Sequence, residues 1–333
     1  RDLHACEATI GVLYTFYASA MIVIFILALP LNASVLHLFI FKLKFWKTNP
    51  SNVFLFNLLL ADILLLFCLP FKASTFINGE RRSRNEAACK AVLFVLFLNR
   101  AASIAFLTVI SIDRYYNVVK AGQKNLLKML KKSPYISIFI WLLLLPLTTP
   151  TMLKDFDCCS SFSEGTLVES SSLWSQNNPA GFRQEIVFFS QIVVPFVILV
   201  YCTVCIVNRL RRKGVGNRTK VRRAVLLVTI VMVVFSLCFL PCAIARMVLL
   251  VVSDQKLNES VLDKAAEAFD GLVVLSYVDC LLDPLVYCFG STKFKELYIS
   301  TYFPCLMKGT QTQKERTSDN VALNTRKQVE KRM

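Results

Sequence analysis

Charged residues are scarce in this chain: 18% of 333 residues, against about 25% in a typical soluble domain. Hydrophobic residues make up 55%, and the mean hydropathy is +0.55. That balance excludes a disordered protein and speaks against a water-soluble globule. Histidine is scarcer still, with only His4 and His37, far apart in sequence. Since the cysteines show no metal-ligand spacing either, a metalloenzyme is not indicated. Nucleophile–base arrangements are missing, which argues against an enzyme of any class. The paired, similar halves that many transporters carry are also absent, so an anion transporter is kept only as the rival class. Acidic residues are outnumbered, 22 against 38 Lys and Arg, for a formal charge of +16. In so apolar a chain that excess reads as the positive-inside bias of a membrane protein, with no nucleic-acid partner.

What the chain has instead is long apolar runs. Windows at approximately 13–41, 52–73, 88–117, 134–153, 184–208, 224–252 and 266–289 can each cross about 30 Å of hydrocarbon as a helix. The expected fold is an all-α seven-transmembrane helix bundle spanning 13–289, preceded by a short extracellular N-terminus at 1–12. A short amphipathic membrane-surface helix is expected at 291–305, with Phe294, Leu297, Tyr298 and Thr301 on its apolar side. The polar, basic tail at 306–333 reads as disordered and cytoplasmic. Its Thr310, Thr312, Thr317 and Ser318 are candidate phosphorylation sites. Residues Arg1–Thr9 carry no basic n-region followed by a cleavage site, so the first span is expected to act as its own insertion signal. The sequence begins at Arg1 rather than Met, which leaves the natural start open.

Charge sets the expected orientation. The loop after span one carries Lys42, Lys44 and Lys47, and that after span three Lys120, Lys124, Lys128, Lys131 and Lys132. The loop after span five runs from Arg209 to Arg223 with eight basic residues, and no carboxylate interrupts any of these stretches. The opposite loops are mixed, although Arg81, Arg82 and Arg84 run against the rule. The basic side is expected to be cytoplasmic, with the N-terminus outside and the protein in the plasma membrane. Four of the 12 cysteines, Cys6, Cys89, Cys158 and Cys159, then face the oxidising exterior. Sequence neighbours rarely pair, so Cys158 and Cys159 should each reach Cys6 or Cys89.

Polar residues inside the spans need individual reasons, since a central charge costs about 2.5–3.5 kcal/mol even on the lenient insertion scale. On span three, Asn99, Arg100, Ser103, Leu107, Ile110, Ser111 and Arg114 recur at three- and four-residue intervals and share one broad face. Arg100 lies about 16 Å below Cys89 at 1.5 Å per residue, too deep to snorkel. A planar guanidinium there suits a ligand carboxylate, which it can grip with two parallel hydrogen bonds. The alternative is a structural pair with an acid such as Asp279. Arg246, beyond Pro241 on span six, is a second anchor candidate, although a near-terminal Arg can also snorkel. Tyr277 on span seven can donate to the same ligand. Glu267 and Asp270 would repel an anion unless paired, with Arg246 the candidate partner.

Deeper, Asp62, Asn99, Ser103, Asp279 and Asp283 can converge. Their carboxylate, hydroxyl and amide oxygens suit an allosteric sodium ion or a shared proton, the alternative being a water-filled network that holds the helices together. Pro146, Pro150, Pro195, Pro241 and Pro284 are expected to interrupt their spans, giving hinges that suit a switch.

Taken in order, these residues resemble the rhodopsin-like G-protein-coupled receptors. The marks are Asn32, Leu60-Ala61-Asp62, Cys89, Asp113-Arg114-Tyr115, Trp141, Pro195, Phe239-Leu240-Pro241 and Asp283-Pro284-Leu285-Val286-Tyr287. Departures are Phe239 where a Trp is usual, Asp283 and Asp279 where Asn is usual, and Thr203 where a Tyr often stands. The resemblance implies activation switches at Asp113, Arg114, Tyr115, Phe239, Pro241, Pro284 and Tyr287. A narrower resemblance is to the hydroxycarboxylic acid, oxoeicosanoid and hydroxyeicosatetraenoic acid receptors, carried by Phe45-Trp46-Lys47, Asn99-Arg100, Cys159-Ser160-Ser161-Phe162-Ser163 and Leu275-Ser276-Tyr277. That likeness implies that Arg100 grips the ligand carboxylate, with Arg246, Tyr277 and Ser161 as further pocket positions. It also implies bridges Cys89–Cys159 and Cys6–Cys158. A fatty-acid-derived agonist is expected, its tail against spans three, five, six and seven, with short hydroxy or keto acids as the alternative. The implied partners are an inhibitory heterotrimeric G protein, which lowers cyclic AMP, and arrestin. Cys305 is a candidate palmitoylation site.

Overall fold

The computed structural model describes residues 11–43, 50–78, 86–120, 133–149, 179–212, 218–254 and 259–303. All elements among them are helical. In chain order they are α1 (Gly11–His37), α2 (Pro50–Ile77), α3 (Glu86–Val118), α4 (Ser133–Thr148), α5 (Pro179–Arg212), α6 (Arg218–Cys238), α7 (Leu240–Asp254), α8 (Glu259–Ser276), α9 (Asp279–Gly290) and α10 (Thr292–Tyr302). A π-helical stretch, Leu38–Leu43, continues α1. Among the described residues six helical segments are long and apolar enough to cross a bilayer, with α6–α7 and α8–α9 each counting as one. The shorter seventh is α4, 16 residues long and also apolar.

Residues 11–290 form one compact unit. Around it, α2 packs between α1 and α3, α5 between α3 and α6, and α9 lies against α1, α2 and α6. Span three is the axis: α3 touches α2, α4, α5 and α6, and 67% of its apolar window is buried against 22% for span five. The buried residues of α1 (Tyr14, Ala18, Met21, Ile24, Ala28, Asn32) recur at three- and four-residue steps, so one stripe faces the bundle. Small residues in that stripe allow the close helix approach that drives packing where lipid supplies no hydrophobic force. Gly271 shows the same need on α8, because a Cβ there would meet the Tyr17 hydroxyl at 2.5 Å. The outward residues are apolar: Tyr135, Phe139 and Leu142 on α4 are all more than 60% exposed. Such a surface belongs in hydrocarbon, where helices satisfy their own backbone groups.

Proline does less than expected. The helices run through Pro146, Pro195 and Pro284, and Pro150 lies outside the described residues. Span six breaks at Phe239, two residues before Pro241. Span seven breaks at Tyr277–Val278, where backbone N–H groups bond three residues back instead of four, as Tyr277 N does to Val274 O at 3.1 Å. Pro284 still leaves its mark. It supplies no N–H to the Cys280 carbonyl, and that carbonyl instead accepts from Asn32 Nδ2 at 3.0 Å. A helix kept unbroken on one side of a proline is thus tied to a neighbouring span on the other.

The second unit holds α10. Its N-cap is Ser291, whose hydroxyl accepts from Phe294 N at 3.3 Å, and it ends by Tyr302, within the expected 291–305. Phe294, Leu297, Tyr298 and Thr301 are more covered than Lys293, Lys295 and Glu296, which is the expected amphipathic pattern. Cys305 and the tail residues Thr310, Thr312, Thr317 and Ser318 lie outside the described residues.

Candidate functional site

Arg100 stands on α3 among Leu98, Asn99, Ala101 and Ala102, all buried, and is itself half-buried. Its Nη2 donates to Ser276 Oγ at 3.3 Å. That hydroxyl donates in turn to Val273 O at 2.6 Å, within the last turn of α8. Among the described residues no carboxylate oxygen lies within 4.0 Å of Arg100. Asp279 is close enough to feel its charge but is not bonded to it; its Oδ1 accepts from Cys280 N at 2.8 Å. The deep guanidinium therefore rests on a neutral partner. Tyr277 is buried beside it.

A cavity of about 80 Å³ opens from Arg100. Its walls are Phe97 and Ile104 of α3, Leu147 of α4, and Val187, Phe188 and Ile192 of α5. Thr148 and Gln191 add polar atoms. The space adjoining Arg100 thus lies toward span four, a direction the sequence did not suggest.

Arg246 has a different setting. It forms a two-pronged ion pair with Glu185 of α5: Nε donates to Oε2 at 3.2 Å, and Nη2 to Oε1. Both side chains are about one-tenth exposed. Glu185 escaped the sequence reading because it sits 61 residues away in sequence, on another span. Of the two acids expected to trouble an anion, Asp270 accepts from the Tyr14 hydroxyl at 2.9 Å, and the Glu267 backbone carbonyl accepts from Tyr17 at 3.1 Å. Lys72 was also missed. It is buried, its ammonium lies 4.5 Å from the Phe76 ring centroid, and it lines a separate cavity of about 230 Å³ between α2 and α3.

Three deeper acids are buried near one another. Asp62, Asp279 and Asp283 are at most 1% exposed, beside the buried Asn99 and Ser103. Asp283 sits against Asp62, and Asp279 near Ser103. The Tyr287 hydroxyl donates to Asp62 Oδ2 at 3.0 Å. Asp62 Oδ1, Asn99 Oδ1, Ser103 Oγ, Asp279 Oδ2 and both Asp283 oxygens have no hydrogen-bond partner among the described residues. Buried acceptors left so are costly, and three buried carboxyls need compensating positive charge, as protons or as a cation. No set of three or more His, Cys, Asp or Glu among the described residues converges on a metal position. The oxygens left unpartnered here are carboxylate, hydroxyl and amide in kind.

At the far end of α3, Arg114 lies 3.4 Å from Asp113. Ser51 of α2 bridges them, donating to Asp113 at 2.8 Å and accepting from Arg114 at 2.6 Å. The Tyr115 and Tyr201 hydroxyls are 3.5 Å apart. Phe239 is buried edge-on to Phe235 at 5.5 Å between centroids. Trp141 donates to Asn57 at 2.9 Å, tying α4 to α2. Cys89 is disulfide-bonded, and the other cysteines among the described residues form no disulfide. Cys6, Cys158, Cys159 and Ser161 lie outside the described residues, so neither bridge partners nor that pocket position are placed.

Membrane-length helices around a buried polar axis, broken at Phe239 and Tyr277–Val278, fit a multi-pass membrane protein. A family described as 7 transmembrane receptor (rhodopsin family) matches residues 31–287. The chain belongs to that family. It is 31% identical over 318 residues to the 12-(S)-hydroxy-5,8,10,14-eicosatetraenoic acid receptor of Mus musculus, covering 95% of this chain and 97% of the relative. With hydroxycarboxylic acid receptor 2 of Homo sapiens it shares 30% over 293 residues, 85% of this chain and 77% of the relative. With oxoeicosanoid receptor 1 of Homo sapiens it shares 30% over 281 residues, 84% and 70%. It is a receptor, not an enzyme. Family membership implies a small-molecule or lipid agonist, coupling to a G protein, and a place in the plasma membrane.

Proposed function

We propose that this protein is a receptor for a carboxylate-bearing, fatty-acid-derived agonist of the hydroxy- or oxoeicosanoid kind, and that Arg100 binds the carboxylate. The observation that carries this reading is the guanidinium of Arg100, deep on the bundle axis and, among the described residues, hydrogen-bonded to a single neutral hydroxyl. A charge so placed is under-compensated, and an incoming carboxylate supplies two charge-assisted hydrogen bonds that Ser276 cannot. The relatives named for eicosanoid and hydroxycarboxylic acids support the acid class. Short hydroxy or keto acids are the second reading, favoured by the small size of the cavity at Arg100, about 80 Å³.

The agonist acts by binding the open state more tightly than the closed one, since equal affinity would shift nothing. Opening loosens the Asp113–Ser51–Arg114 contact and swings span six about Phe239–Pro241. A G-protein helix then docks in the exposed groove; the inhibitory class, arrestin binding and an outside N-terminus remain part of the proposal. Sodium or protons among Asp62, Ser103, Asn99, Asp279 and Asp283 favour the closed state. In cells making the receptor, a panel of carboxylic acids from short to long chain is read by cyclic AMP. The active acid should lose its effect on Arg100→Ala while surface expression holds. A full response in that variant overturns the anchor.

A further inference from the structure

Among the described residues the backbone of α4 runs close to those of α2 and α3, and that of α5 to those of α3, α6 and α7, whereas the α4 and α5 backbones come as close at next to no point. The cavity that begins at Arg100 runs into this seam. Its α4 wall, Leu147, is 38% exposed, so the seam's outer side meets lipid. The lining is mixed: Arg100, Thr148 and Gln191 stand among the apolar Phe97, Ile104, Val187 and Phe188. Gln191, half-buried in the wall, makes no side-chain hydrogen bond among the described residues.

Resting on the carboxylate-anchor reading above, we infer that the α4–α5 seam is the tail subsite and the entry path of the agonist. A long-chain acid with a hydroxyl or keto group reaches Arg100 sideways from the bilayer. The physical case is charge complementarity at one end and solvent continuity at the other. Lipid is as apolar as the cleft, so a chain passing from bilayer to seam gains little by apolar burial. It also loses little, because the tail's far end stays in hydrocarbon throughout. Selectivity therefore rests on polar atoms: the carboxylate at Arg100, and the hydroxyl or keto oxygen within reach of the unengaged Gln191 amide. The cleft is narrow as it stands. Spreading α4 from α5 to seat a chain parts fewer close backbone approaches than spreading α3 from any of its neighbours.

The test uses the full-length receptor in phosphatidylcholine nanodiscs with a long-chain fatty acid bearing a diazirine at its ω end. Labelling that is competed by the unlabelled acid is mapped by mass spectrometry in wild type, Arg100→Ala and Val187→Trp. The inference expects label on α4 and α5 peptides, lost in Arg100→Ala and cut about tenfold in Val187→Trp, which overfills the cleft. Arg100-dependent label on α2 or on α6–α9 overturns the seam and leaves the anchor standing. Competed label indifferent to Arg100→Ala, or no competed label at all, overturns the anchor and the seam with it.

Discussion

Arg100 and Arg246 are the same side chain in two settings. Arg246 is closed by a two-pronged contact with Glu185, which joins span five to span six. Arg100 leans on the Ser276 hydroxyl, with Asp279 near enough to attract but not bonded. The first is a finished ion pair and the second an open one. Burial of an arginine therefore does not by itself mark a ligand site; the partner decides. By that rule Arg246 holds the helices together, and it meets a ligand only by sharing or releasing Glu185.

The comparison breaks most sharply on stability. Arg246→Ala leaves a buried Glu185 without its cation, a loss of about 3–5 kcal/mol, seen as a lower melting temperature in nanodiscs. The double change Glu185→Leu with Arg246→Met should recover much of it, because an apolar pair of similar volume is often neutral. Arg100→Ala should leave melting nearly unchanged and remove the agonist response instead, at a cost of about 2–5 kcal/mol in binding. Ser276→Asp should make Arg100 resemble Arg246: melting holds or rises, and agonist potency falls. If Ser276→Asp raises potency, the open-pair reading is wrong. A smaller effect is expected at Asn32. Its replacement by Ala leaves the Cys280 carbonyl without a donor, a loss of about 1–3 kcal/mol in melting experiments. Smallest is Asp62→Asn, which should flatten the dependence of agonist affinity on sodium against a bulky organic cation. An unchanged salt response there would count against the cation site.

The spans were legible because apolar run length and the roughly 30 Å of hydrocarbon constrain each other directly. Arg100 and the acid cluster were legible because three- and four-residue spacing on span three, and the i, i+4 pair Asp279 and Asp283, report a shared face without tertiary knowledge. The partners were not. Glu185 meets Arg246 across 61 residues, and Ser51 enters between Asp113 and Arg114 from another span. Hinge placement also escaped. A proline marks a carbonyl that loses its donor, but whether the helix bends depends on who replaces the donor. At Cys280, Asn32 does, and the break falls seven residues before Pro284 at Tyr277. The α4–α5 seam is a lack of close backbone approach, which no local pattern encodes.

The most direct measurement of the central claim is a thermodynamic cycle on one active long-chain acid and its methyl ester, binding to wild type and to Arg100→Ala in nanodiscs. If Arg100 grips the carboxylate, esterification and the substitution remove the same interaction. Each then weakens binding strongly, and together they weaken it little more than either alone. Effects that simply add, or an ester that binds wild type as well as the acid does, would contradict the account.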